Sequence, residues 1–76
     1  MKLAGTAAMF MSDRRLKTDV KQIGVHPSGL PVYSYKYLWG EPSVGVMADE
    51  VAKVKPDAVA LHPSGYSMVN YNKLDS

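Results

Sequence analysis

Between Leu30 and Trp39 the chain alternates, with Tyr33, Tyr35, Tyr37 and Trp39 on one side of an extended backbone and Val32, Ser34, Lys36 and Leu38 on the other. A period of two is the signature of a β-strand and is incompatible with a helix, whose faces repeat every 3.6 residues. Four of the seven aromatic residues fall on one side of this strand. That stripe is expected to be the buried face of a sheet or a contact between subunits rather than a stacking platform for bases or sugars.

The segments around the strand supply it with neighbours. Val20 to Val25 reads as a short strand, and His26-Pro27-Ser28-Gly29 as the turn that joins it to Leu30–Trp39 in a hairpin. Gly40-Glu41-Pro42-Ser43 breaks the aromatic strand, and Val44-Gly45-Val46 is a brief apolar run. Met47, Val51 and Val54 then recur at helical spacing, which predicts a helix from about Met47 to Lys55, stopped by Pro56. Ala58 to Leu61 and Tyr66 to Tyr71 form a second pair of strands around His62-Pro63-Ser64-Gly65, a verbatim copy of the first turn. The flanks of the two copies share only hairpin character, so the repeat is two similar turns and not an internal duplication. The expected fold class is α+β: a small single domain with two β-hairpins packed around one short helix.

A 76-residue chain can bury only about 60% of its unfolded surface. With no cysteine and two histidines, disulfides are excluded and a structural metal is disfavoured, which leaves self-association as the expected source of extra stability. A net charge of +2 identifies no partner. No stretch reaches the roughly 18 to 20 apolar residues a membrane-spanning helix needs, which argues against a membrane partner. Residues 1–11, MKLAGTAAMFM, have a charged start and an apolar run like those of a signal peptide, but Gly5 and Thr6 dilute the run. The expectation is an apolar N-terminal arm that docks on a partner.

Few residues could carry chemistry. His26 and His62 sit in turns without ligand spacing, so no metal is expected. Asp49 and Glu50 are adjacent, about 100° apart on a helix, and cannot face each other as an acid/base pair; one of them is expected to reach a basic side chain of the first segment. Arg14, Arg15, Lys17 and Lys21 are interrupted by Asp13 and Asp19, which argues against nucleic acid as a partner. Ser12 with Lys17 remains. A lysine can take a serine proton if burial leaves it neutral near pH 7. A separation of five residues is out of phase on a helix and on a strand alike. A dyad therefore needs Ser12 outside regular structure with the chain bending between the two, or a Lys17 from another subunit. On spacing alone the pair reads as a helix cap and a surface lysine.

The motif read whole points elsewhere. Ser12-Asp13-Arg14-Arg15-Leu16-Lys17-Thr18-Asp19-Val20 resembles the opening of the endosialidase-type intramolecular chaperone at the C-terminus of bacteriophage tailspikes and tail fibres, the self-cleaving domain classed as peptidase family S74. The resemblance continues in order through Val32–Tyr37, Val44–Val51, Pro56–Val59 and Val69–Leu74. It covers residues 12–74, between an arm at 1–11 and a tail at 75–76.

What the resemblance implies is a virion structural or assembly module of a phage tail or fibre. Such a module is assembled in the bacterial cytoplasm and associates as a homotrimer and with other virion or tail proteins; beside it, the residues themselves lead to no expected cofactor. The alternative it implies is an active autoprotease that cleaves the Met11–Ser12 bond with a Ser-Lys dyad: Ser12 the nucleophile, Lys17 the general base, and Glu50 orienting Lys17 or a contact between subunits. Asp13 is expected to fix the turn. The family's domains usually follow a long fibre, and many continue into a helix that clasps the trimer. A chain with eleven residues before Ser12 and two after Leu74 is therefore expected to be either a piece of a longer protein or a small virion component.

Overall fold

A computed structural model describes residues 9–75. The aromatic strand is β3 (Pro31–Tyr37), the centre of a three-stranded antiparallel sheet between β2 (Lys17–Val25) and β4 (Pro42–Gly45). A second antiparallel sheet has β6 (Ser67–Asn70) in its centre, flanked by β5 (Val59–Leu61) and by β1 (Met9–Met11) from the opposite end of the chain. Helix α1 (Ala48–Val54) is within a residue of the expected span at each end, and single 3-10 turns cover Arg14–Leu16 and Pro56–Ala58. This is the expected α+β domain, with two strands beyond the expected hairpins. Of the N-terminal arm, residues 1–8 lie outside the described residues.

Two differences from the expected elements have local causes. The aromatic stripe ends at Tyr37, because Leu38 and Trp39 belong to a turn: the Gly40 N–H donates to Tyr37 O (2.8 Å) and the Tyr37 N–H to Glu41 O (2.9 Å). The His-Pro-Ser-Gly turns close in the same pattern, Gly29 to His26 and His26 to Leu30, then Gly65 to His62 and His62 to Tyr66, all at 2.8 Å. In each turn the glycine has φ near +93°, a region that L side chains avoid. The two histidines serve these turns, each Nδ1 accepting the N–H of the serine two residues on (3.0 Å). Similarly, the closing strand stops at Asn70, whose Oδ1 accepts the Lys73 N–H (3.2 Å) and starts a short second helix, α2 (Tyr71–Asp75).

The core has two parts. Leu30, Val32, Val46, Ala48, Val51, Ala58, Val69, Tyr71 and Leu74 pack between the sheets and helices; Leu16, Tyr35 and Tyr37 pack with Met11, Tyr33 and Tyr66. Val54, expected on the apolar face of α1, is exposed; the buried residues here are Ala48 and Val51 of the helix and Met47 just before it. Trp39 is exposed too, its ring stacked on Tyr37 at 4.4 Å. Strand β2 carries two register irregularities against β3, the first around Asp19, whose φ is +53°. Lys17 faces inward at its start, opposite Tyr37, and every later residue of β2 is exposed. Among the described residues no helix is long and apolar enough to cross a membrane.

Candidate functional site

The two cores meet where the chain leaves β1. Met11 pairs with Met68, and the backbone then departs from the sheet with Ser12 pinned on both sides. The Ser12 N–H donates to Ser67 O (3.1 Å), and its carbonyl accepts from the Ala48 N–H at the start of α1 (2.9 Å). Ser12 thus lies between regular elements and is completely buried. Its Oγ is in loose contact with the Tyr71 hydroxyl at 3.5 Å.

Asp13 makes the bend. Its carboxylate accepts from the Arg15 N–H (2.9 Å), from the Arg15 guanidinium (2.9 and 2.8 Å) and from the Ser67 N–H (3.0 Å). The Arg15 guanidinium holds this carboxyl well below the usual carboxylate range. The 3-10 turn it caps returns the chain toward the site, so Lys17 enters β2 with its side chain inward. Only 8% of Lys17 is exposed. Its Nζ donates to Val46 O (2.9 Å) and lies 4.1 Å from the centre of the Tyr35 ring. Burial, foremost, and the neighbouring Arg14 charge push the Lys17 pKa down to about 8, while Asp49 and Asp13 act in the opposite sense. A lysine so placed exchanges its proton near neutral pH, as a general base must.

Ser12 and Lys17 share no hydrogen bond; Lys17 reaches Val46 directly and Ser12 only by way of Tyr71. Lys17 donates to the Val46 carbonyl, and the Tyr71 hydroxyl that touches Ser12 accepts the Val46 N–H (3.3 Å). This requires glycine at position 45: a Cβ there would stand 2.5 Å from the Tyr71 hydroxyl and 3.1 Å from that of Tyr35. The phenols complete the enclosure. The Tyr37 hydroxyl donates to the Met11 carbonyl oxygen at 2.7 Å and lies 3.4 Å from the Tyr35 hydroxyl. Burial raises the pKa of Tyr35, Tyr37 and Tyr71, so all three are protonated at neutral pH.

Glu50 has other company. Its carboxylate accepts the Tyr33 hydroxyl (2.9 and 3.2 Å), whereas the Lys17 ammonium is engaged by Val46. Asp49 is the acidic residue that reaches the first segment, through Arg14 (3.2 Å). Tyr37, Gly45, Val46 and Tyr71 escaped assignment from sequence, since an aromatic stripe and an apolar run carry no mark of chemistry. Among the described residues no three His, Cys, Asp or Glu side chains gather as a metal site would require.

A family model described as Peptidase S74, chaperone of endosialidase, matches residues 12–60, more than half of the chain. The match begins at Ser12 and takes in Lys17, Tyr37, Gly45, Val46 and Glu50. No curated protein and no solved structure matches the chain.

Proposed function

The chain belongs to the Peptidase S74 family, chaperone of endosialidase, and on that premise we propose that it is an assembly module of a bacteriophage tail or tail fibre. It works as a homotrimer among other virion proteins and is assembled in the host cytoplasm. The observation that supports this reading is β2, an edge strand exposed along its length after Lys17, with Val20, Ile23 and Val25 uncovered at 41%, 54% and 61%. A long edge carrying apolar side chains invites pairing, and a small domain without disulfides gains stability by covering it. Arg14 and Arg15 are engaged by Asp49 and Asp13, which disfavours nucleic acid as the partner. Light scattering at micromolar concentration tests the reading: a mass near three times the 8.3 kDa of one chain is expected, and a stable monomer refutes it.

A second reading, self-cleavage at Met11–Ser12, is favoured by a desolvated Lys17 and a fully buried Ser12, the first bonded to Val46 and the second linked to Val46 through Tyr71. Neutral Lys17 leaves Val46 O to take the Ser12 Oγ proton, and Oγ adds to the Met11 carbonyl carbon. The C–N bond breaks, the Ser12 nitrogen takes up the proton as an amine, and an ester joins Met11 to Ser12 Oγ. Water then hydrolyses the ester to a Met11 carboxylate and a chain that begins at Ser12. The cut separates the arm, 1–11, from the domain, 12–74, and its tail, 75–76. Glu50 enters this scheme only as the partner of the Tyr33 hydroxyl. Intact mass decides: a product starting at Ser12 that Ser12→Ala abolishes is expected, and a wild-type chain still whole after long incubation refutes cleavage.

A further inference from the structure

We propose that Tyr37 is a catalytic residue: its hydroxyl is the donor that stabilises the oxyanion formed on the Met11 carbonyl oxygen when Ser12 attacks. The inference rests on the self-cleavage reading above and gives the reaction an electrophilic component besides the nucleophile and the base.

Three observations carry it. First, of the hydrogen bonds on the Met11–Ser12 peptide unit, one reaches its oxygen from a side chain, Tyr37, at 2.7 Å. A carbonyl has no proton to give, so the phenol is the donor. Charge that builds on this oxygen in the tetrahedral intermediate meets a donor already in place, which is how such donors lower a barrier. Second, the hydroxyl is held rigidly. The Tyr37 ring is buried, stacked on Trp39 with 5° between the planes and set edge-on to Tyr35 at 5.3 Å. Because Tyr37 spends its single proton on Met11, the Tyr35 hydroxyl 3.4 Å away can face it only as a donor, in a loose contact that leaves the Tyr37 proton on Met11. Third, the opposite side of the same peptide unit is held as well. The Ser12 N–H donates to Ser67 O, which keeps the departing nitrogen in place while it becomes an amine. The electron balance is complete without a further reactant: the pair displaced from the carbonyl π bond rests on oxygen against Tyr37, then returns to expel nitrogen.

The test uses the whole chain. Tyr37→Phe removes the hydroxyl and keeps the ring, and is expected to slow the appearance of the Ser12 product roughly 100- to 1,000-fold, the loss seen when one oxyanion donor is removed. Cleavage within about threefold of wild type overturns the proposal. Should Tyr37→Phe fail to fold, 3-fluorotyrosine at position 37 keeps the hydroxyl and makes it a stronger donor; a faster rate at pH 7 supports the role, and an unchanged rate overturns it. A third arm needs no turnover. In a Ser12→Ala chain carrying 13C at the Met11 carbonyl, the infrared band is expected to move to higher frequency when Tyr37 becomes phenylalanine, and an unmoved band overturns the proposal whatever the masses show. If the band moves but the wild-type chain never cleaves, the self-cleavage reading has failed and Tyr37 is a structural clasp.

Discussion

Replacing Lys17 by methionine, in a Ser12→Ala background that keeps the chain whole, is expected to make the protein more stable at pH 7. Burial lowers the Lys17 pKa from 10.5 to about 8, and at 1.36 kcal/mol per pH unit the charged form costs the folded state about 3 kcal/mol. The contact of the charged form with the Tyr35 ring offsets about 1 kcal/mol of this cost. Methionine removes the charge at similar length and leaves Val46 O without its donor, a loss of about 1 kcal/mol. A net gain of about 1 kcal/mol follows, roughly 4 to 8 °C in Tm for a domain of this size. The pH dependence has a definite sign. Below about 8 the native lysine is charged and the penalty is full. Between about 8 and 10.5 the unfolded chain binds more protons than the native one, so the lysine protein gains stability as pH rises. The two proteins should therefore melt close together near pH 10. Thermal melts followed by circular dichroism, at one fixed chain concentration, read both quantities. Lower stability of Lys17→Met at pH 7 would refute the reasoning, because Lys17 would then be supporting the fold. With Ser12 intact, the same substitution should abolish the Ser12 product, which pairs lost activity with gained stability.

Other consequences follow from the same geometry. The cleavage rate of the wild-type chain should rise about tenfold per pH unit below 8 and level off above it, as Lys17 loses its proton; a flat profile from pH 6 to 9 excludes Lys17 as the base. Gly45→Ala should cost about 1 to 3 kcal/mol by forcing a methyl against the Tyr71 hydroxyl, and Tyr71→Phe in the same chain should recover part of the lost Tm; additive losses contradict the clash. Asp13→Ala removes a cap and should lower stability by about 1 kcal/mol at neutral pH. Because the folded carboxyl titrates well below its unfolded value of 3.8, that difference is full above about pH 5 and shrinks as pH falls below 3.8; a difference that persists unchanged at pH 2 refutes the charged cap.

The elements that rest on neighbours in sequence were legible. The alternation of β3, the helix begun near Met47 and ended before Pro56, and the two His-Pro-Ser-Gly turns are decided by backbone sterics and side-chain period, which act over a few residues. The break at Gly40-Glu41-Pro42-Ser43 was legible, but not that Tyr37–Glu41 closes as a third turn of the same geometry, nor that Asn70 caps α2. The motif from Ser12 to Lys17 was legible as a family signature, and Asp13 as the residue that fixes its turn. Glu50 shows the limit of that kind of reading, since a matching residue type carries no information about which side chain it will meet, here Tyr33.

What makes the site a candidate for chemistry lies between residues far apart in the chain. Sequence settled that Ser12, Lys17 and a tyrosine-rich strand are present, and which short elements hold them. Tertiary structure decided that β1 pairs with β6 and so carries Met11 under the Tyr37 hydroxyl. It also decided that Lys17 points inward to Val46, and that Tyr71 reaches across Gly45 toward Ser12. The physical reason is that a side chain's hydrogen-bonding capacity belongs to its residue type, whereas its desolvation depends on everything folded around it. The same lysine is an ordinary cation on a surface and a base near pH 8 when only 8% of it is exposed.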